Sequence, residues 1–194
     1  MEIFHSVLQF DKWLFQLINV DLGNPVFDFL MPIVREKKVW LLLYLYLAYH
    51  FFAIYRLKGW FLVLGFVLSV GISDFTSSSL IKKSVQRIRP CNDVEMVDKV
   101  VTRVSCGGGY SFTSSHASNH FAIAVFLITV LGLSGKWQQK ALLAWAGSIA
   151  FAQVYVGVHY PIDVTAGAIL GSLIGWGTGR IIRDSFLQKS KSQS

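Results

Sequence analysis

Five long apolar runs, separated by short polar breaks, dominate the chain: 39–55, 60–81, about 115–135, 141–158 and about 162–182. Each approaches the roughly 20 residues that an α-helix needs to cross a bilayer. Each is also continuous, unlike the alternating strands of a membrane β-barrel. The pattern predicts an all-α fold, a polytopic transmembrane helix bundle with five clear spans. Residues 1–35 form a less apolar, amphipathic region. Within 3–19 the polar positions His5, Gln9, Lys12, Gln16 and Asn19 recur at spacings of four and three, one stripe on a helix. That stripe suits a helix lying in the membrane interface better than a short transmembrane one, so five to six helices are expected in total. Leu22-Gly23-Asn24-Pro25 reads as a turn, and 26–34 is a short apolar stretch holding Asp28 and Pro32. Residues 185–194 are a polar C-terminal tail expected to fray.

Composition narrows the class further. At 194 residues the chain has the length of one domain, read as a single membrane-embedded unit over 1–184. Hydrophobic residues make up 53% and charged residues 15%, and mean hydropathy is +0.49. A soluble domain carries about a quarter charged residues. The apolar excess excludes disorder, and two cysteines exclude a disulfide-dense mini-protein. Lys and Arg number 18 against 11 acids, a net charge of +7. In a chain this apolar, the surplus points to membrane lipids and a phosphate-bearing substrate, not to nucleic acid. No obligate protein partner is implied.

Three polar clusters stand out between the apolar runs. In the first, Lys82 and Arg89 lie seven apart, so a continuous helix ending at Pro90 would carry both on one face. Two cations at a membrane boundary suit a phosphate, or equally a collar on lipid headgroups. The second is Thr113-Ser114-Ser115-His116, small hydroxyl residues opening an apolar run. That reads as a helix N-terminus whose free amides favour an anion, with His116 able to move a proton. The third is His159-Tyr160-Pro161-Ile162-Asp163, where a carboxylate four residues on can hold one ring nitrogen and leave the other free to attack. Each alone is also compatible with an ordinary polar turn or cap.

Together, and in this order, the clusters resemble those of the lipid phosphate phosphatase family, the type 2 phosphatidic acid phosphatases related to vanadium haloperoxidases. Lys82, Arg89 and Pro90 fit the family pattern K-x6-R-P. Thr113-Ser114-Ser115-His116 stands for P-S-G-H, with the serine and histidine matching. His159 and Asp163 fit the end of S-R-x5-H-x3-D, while Ala152 and Gln153 replace its serine and arginine. The resemblance spans roughly residues 60–180. It implies a metal-independent phosphatase without cofactor, acting on a lipid phosphate through a phosphohistidine on His159. Asp163 would orient that ring, and His116 would serve as acid and then base. Lys82, Arg89, Ser114 and Ser115 would bind phosphate, with Gln153 and Arg87 as further candidates. Because Gln153 lacks the family arginine's charge, either the enzyme is slower or another cation has taken that role; Arg87, Lys83 and Arg103 are the candidates, Arg87 being nearest to the motif. Candidate substrates are undecaprenyl diphosphate, phosphatidylglycerophosphate, phosphatidate and a lipid A phosphate. The alternative is a catalytically impaired anion- or lipid-phosphate-binding or transport protein.

Five spans bring the active-site-side loop 82–113 and the turn 159–163 to one face. The other face holds Arg56, Lys58, Lys136, Lys140, Arg180, Arg183, Lys189 and Lys191, and the site face a similar number of basic residues, so counting alone does not decide. With the phosphate-site cations discounted and Glu36, Asp93, Glu95 and Asp98 beside the rest, the other face reads as cytoplasmic. Cys91 and Cys106 share the 82–113 loop, so a disulfide and an oxidising compartment are expected there. The expected location is a bacterial inner membrane, with the site facing the periplasm or exterior. Gly167, Gly171, Gly175 and Gly179 form one close-packing face on the last run, for a neighbouring helix of the same chain ahead of a second copy.

Overall fold

The structure, a computed structural model, describes residues 2–191. The fold is all-α. Helix α1 covers Glu2–Gln16 and continues through a π-helical stretch, Leu17–Asp21. Asn24 then caps α2, Pro25–Val34, by accepting a hydrogen bond from the Phe27 amide at 3.0 Å, with Pro25 preset for the first turn. Helices α3, Leu41–Tyr55, and α4, Gly59–Asp74, follow across the tight turn Arg56–Lys58. Helix α4 widens into a π-helical stretch, Phe75–Ile81, and ends in the single turn α5, Lys82–Val85. A long loop leads to α6, Ser115–Val130, then α7, Trp137–Tyr155, and α8, Pro161–Lys191. The apolar runs from 39, 60, 115, 141 and 162 thus correspond to α3, α4, α6, α7 and α8. Helix α8 continues through most of the expected polar tail, and residues 192–194 lie outside the described residues.

By length and apolarity, one helical stretch among the described residues, Leu41–Asn92, qualifies to cross a membrane. The pair His5–Asp21 and Pro25–Val34, bent by 114°, qualifies together, and Ser115–Val130 is apolar but shorter. Helices α7 and α8 are diluted by Gln, Gly, Ser and Thr, which lower their hydropathy without marking them as solvated. The outer surface is nonetheless apolar: Leu42, Tyr49, Trp60, Val67, Leu173 and Ile181 are all exposed.

Helix α6 is the axis of the bundle. Ala117, Ala122, Ile123, Ala124, Phe126 and Leu127 are buried on it, against α8 on one side and α4 and α7 on the others. The glycine face of α8 meets α6 backbone to backbone. A Cβ at Gly167 would stand 2.6 Å from the Ser114 carbonyl oxygen, and one at Gly171 would collide with the Ser118 carbonyl. The small-residue stripe is therefore filled within the chain. Gly171→Ala should gain up to about 1 kcal/mol of helix propensity and lose more to overpacking, about 1–3 kcal/mol. Gly177, with nothing within 4 Å of its Cβ position, is the control. Thermal unfolding in detergent should show a lower Tm for Gly171→Ala and an unchanged or higher one for Gly177→Ala.

Helix α1 is packed into the protein by one face, Asp11, Phe15 and Asn19, all buried, while Ile3, Val7, Phe10 and Trp13 are exposed. The inward face thus differs from the anticipated polar stripe, sharing only Asn19 with it. Asn19 ties the long loop to α7. Its Nδ2 donates to the carbonyls of Val101 (2.9 Å) and Tyr155 (2.7 Å), and its Oδ1 accepts from the Val101 amide at 2.9 Å.

Candidate active site

The loop between α7 and α8 carries His159, which is 2% exposed. Its backbone amide and that of Val158 both donate to the Gln153 carbonyl, at 3.3 and 3.2 Å, so the last turn of α7 fixes the ring's position. Pro161 then starts α8, and Asp163 falls in its first turn, fully buried. The His159 Nδ1 stands 3.7 Å from Asp163 Oδ2, too far for a direct hydrogen bond. Ser111 closes the gap: its hydroxyl donates to Asp163 Oδ2 and lies 3.4 Å from Nδ1. Asp163 therefore reaches the ring through Ser111, where the spacing alone suggested direct contact. Asp163 Oδ2 also accepts from the Tyr160 amide at 2.9 Å. Nδ1 is thus turned toward Ser111 and Asp163, and Nε2 is the nitrogen able to attack. Burial, only partly offset by Asp163, pushes the imidazole down to about 4. The ring is neutral at pH 7 and needs no base to become a nucleophile.

Helix α6 begins beside this turn. Ser114 is its N-cap, accepting from the Ala117 amide at 3.4 Å, and its own amide donates to the Asp163 carbonyl at 3.1 Å. The Ser114 amide is thus committed to Asp163 and its hydroxyl oxygen accepts within the cap, which leaves the O–H as the group it can offer to an anion. The amides of Ser115 and His116 remain at the helix end, where no intrahelical partner exists. Ser115 accepts from the Ser77 hydroxyl at 3.0 Å. The His116 carbonyl accepts from His120 Nδ1 at 2.8 Å, and His120 Nε2 bonds the Tyr44 hydroxyl at 3.0 Å. His120 is a packed residue bracing the first turn under His116.

Lys82 and Arg89 do not share a helix face. Helix α5 stops at Gln86, which is left-handed (φ 53°), because the Arg87 carbonyl pairs with the Ser111 amide at 2.7 Å. Arg89 is instead aimed by weak bonds to the carbonyls of Gly109 (3.3 Å) and Val158 (3.4 Å). Its bond to Val158 places Arg89 beside His159, and the charges of Lys82 and Arg89 both act on that ring.

Arg87 is paired with two carboxylates. It donates to Asp163 Oδ1 at 2.8 Å and Asp11 Oδ2 at 2.6 Å and lies 4.1 Å over the Tyr160 ring. Asp11 also accepts from the Ile162 amide at 2.8 Å. Arg103 is likewise occupied, by Asp28 and by the carbonyls of Asn19 (2.8 Å) and Tyr155 (2.9 Å). Lys83 is exposed. Gln153 is buried, with Oε1 accepting from Arg35 Nε at 3.3 Å and Nε2 unpartnered. Sequence reasoning passed over Asp11, Ser111 and Arg35. Asp11 sits off the polar stripe of its helix, and that displacement was the one readable sign.

Cys91 and Cys106 are bonded as a disulfide, with Cα atoms 5.9 Å apart. Closing a loop of about 15 residues stabilises by up to ~3 kcal/mol on the chain-entropy model. Intact-mass measurement after alkylation should show no free thiol until reductant is added. Two alkylated thiols in protein purified without reductant would contradict the bridge.

Residues 58–186 match the model of the PAP2 superfamily, and the chain belongs to that superfamily of membrane lipid phosphatases. It is 31% identical over 156 residues to a lipid A 4'-phosphatase of Bacteroides thetaiotaomicron, covering 79% of this chain and 68% of that one. It is 31% identical over 170 residues to an undecaprenyl-diphosphatase of Sulfolobus acidocaldarius, covering 86% and 76%. Its fold matches the crystal structure of Aquifex aeolicus LpxE with a TM-score of 0.67 at 25% identity, over 85% of this chain and 92% of that one.

Proposed function

We propose that this phosphatase removes a phosphate from a lipid A-type headgroup, through a phosphohistidine on His159. The observation that carries the mechanism is the buried, neutral His159, backed at Nδ1 by Ser111 and Asp163 and flanked by Lys82 and Arg89. Nε2 attacks phosphorus, and the bond to the lipid oxygen breaks as His116 gives that oxygen a proton. His116 then takes a proton from water, the water oxygen bonds to phosphorus, and the N–P bond breaks. Free phosphate and a dephosphorylated lipid leave. Fixed positive charge lowers the barrier most, as expected for phosphoryl transfer. Two relatives named lipid A 4'-phosphatase support a lipid A-type substrate.

The same reading takes α3, α4, α6, α7 and α8 as the spans of one domain over 1–184, with the bent pair α1–α2 embedded beside them. The site then faces the periplasm. The disulfide and the basic residues at the opposite end support that orientation. The test is phosphate release by purified protein in detergent, with EDTA present, from lipid A, phosphatidate, phosphatidylglycerophosphate and undecaprenyl diphosphate. The expected result is preference for lipid A and full activity in EDTA. Preference for undecaprenyl diphosphate would overturn the substrate, and a requirement for a divalent ion would overturn the chemistry.

A further inference from the structure

The family arginine is missing at 153, and none of the three cations anticipated from the sequence replaces it. A fourth does. Helix α2 packs on the end of α7, where Met31 lies in one cluster with Ala152, Tyr155 and Val156. This delivers Arg35, just past the end of α2, to the last turn of α7. The backbone there is fixed, because the Arg35 amide donates to the Met31 carbonyl at 3.1 Å and Trp40 Nε1 donates to the Val34 carbonyl at 2.8 Å. Arg35 Nε donates to Gln153 Oε1 at 3.3 Å. Gln153 in turn holds the His159 amide through its carbonyl. The Arg35 guanidinium is therefore placed two links from the nucleophile, with its terminal nitrogens unused by that bond.

The distribution of carboxylates points the same way. Arg87 and Arg103 are neutralised by Asp11, Asp163 and Asp28. Among the described residues, Lys82, Arg89 and Arg35 are half-buried and form no ion pair with an acid. The charge of Arg89 acts on Arg35, and that of Arg35 acts on His116. Three half-buried cations that carboxylates reach only beyond ion-pair distance (Glu36 for Arg35, Asp163 and Asp74 for Lys82, Asp163 for Arg89) favour an anion that completes them. Two buried polar atoms also lack a partner: Gln153 Nε2, on the side chain that Arg35 bonds, and Thr113 Oγ1, next to the cap of α6.

We propose that Arg35 is the third phosphate-binding cation of this site, supplied from α2 and held by Gln153 where the family pattern carries its own arginine. Residue 35 lies outside the segment 58–186 that matches the family, so the charge has moved to a different element. A guanidinium can present two parallel N–H groups to a phosphoryl oxygen pair, and the bond to Gln153 uses neither. Gln153 is then a positioning residue. This inference rests on the reading of the site as a phosphoryl-transfer site.

The test compares wild type, Arg35→Ala and the double variant Arg35→Ala/Gln153→Arg, which returns the charge to the family position. Turnover is read on dioctanoyl phosphatidate, and anion binding on the rise in Tm produced by orthovanadate, which needs no turnover. Arg35→Ala should lose at least a hundredfold in kcat/KM and most of the orthovanadate shift, while its own Tm stays within a few degrees of wild type. The double variant should regain at least tenfold. An Arg35→Ala variant within tenfold of wild type, or with an unchanged orthovanadate shift, would overturn the proposal. So would a folded double variant no better than Arg35→Ala. His159→Ala, measured alongside, separates the two levels. If it remains active the phosphohistidine mechanism fails, while the orthovanadate shift still reports on Arg35.

Discussion

His159→Ala is expected to abolish phosphate release from every lipid phosphate that the wild type hydrolyses. The imidazole is fixed from three directions: Gln153 holds its backbone, Ser111 and Asp163 face Nδ1, and Lys82 and Arg89 supply charge around it. Other nitrogens nearby do not substitute, because His116 sits at the start of α6 and His120 is bonded through both ring nitrogens. Removing the nucleophile leaves only fixed charge to act on water. His116→Ala should differ in kind: phosphoenzyme still forms slowly, and loss of an acid–base histidine costs about 10²–10⁴-fold. Steady-state kinetics on both variants would check this, and His159→Ala activity within tenfold of wild type would sink the mechanism.

The second large effect separates two neighbouring arginines. Arg87→Ala leaves Asp11 and Asp163, both almost fully buried, without their shared counter-charge. Removing one partner of a buried ion pair costs about 3–5 kcal/mol, which corresponds to a fall in Tm of roughly 6–20 °C for a chain of this size. Arg89→Ala breaks only two long bonds to backbone carbonyls. It should leave Tm nearly unchanged and lower kcat/KM more than a hundredfold, over ~2.7 kcal/mol. Thermal unfolding and kinetics on the same preparations distinguish them. An Arg87→Ala protein that melts like wild type yet is inactive would mean that Arg87 faces the substrate after all.

That contrast also shows where the sequence was readable. The five apolar runs located α3, α4, α6, α7 and α8, because a continuous run of that length has few alternatives in a helical protein. The spacing of His159 and Asp163 was legible because both belong to one local turn. The helix expected over 82–89 was not, because a bond from Arg87 to Ser111, 24 positions on, ends it early. Arg87 looked like a phosphate ligand for the same reason: its partners Asp11 and Asp163 are each 76 positions away. Nothing in the sequence set Arg35 apart, and only the packing of α2 on α7 carries it to Gln153. At the site, long-range contacts decided the assignments that changed.

The most direct test of the central claim is to trap the covalent intermediate. Wild-type protein mixed with a lipid phosphate labelled at phosphorus, in EDTA, and quenched within milliseconds should carry label that is stable in alkali and lost in acid, as a phosphohistidine is. Peptide mapping should place that label on His159, and His159→Ala should carry none. Turnover with no labelled protein at any quench time, or label mapped to a residue other than His159, would contradict the account.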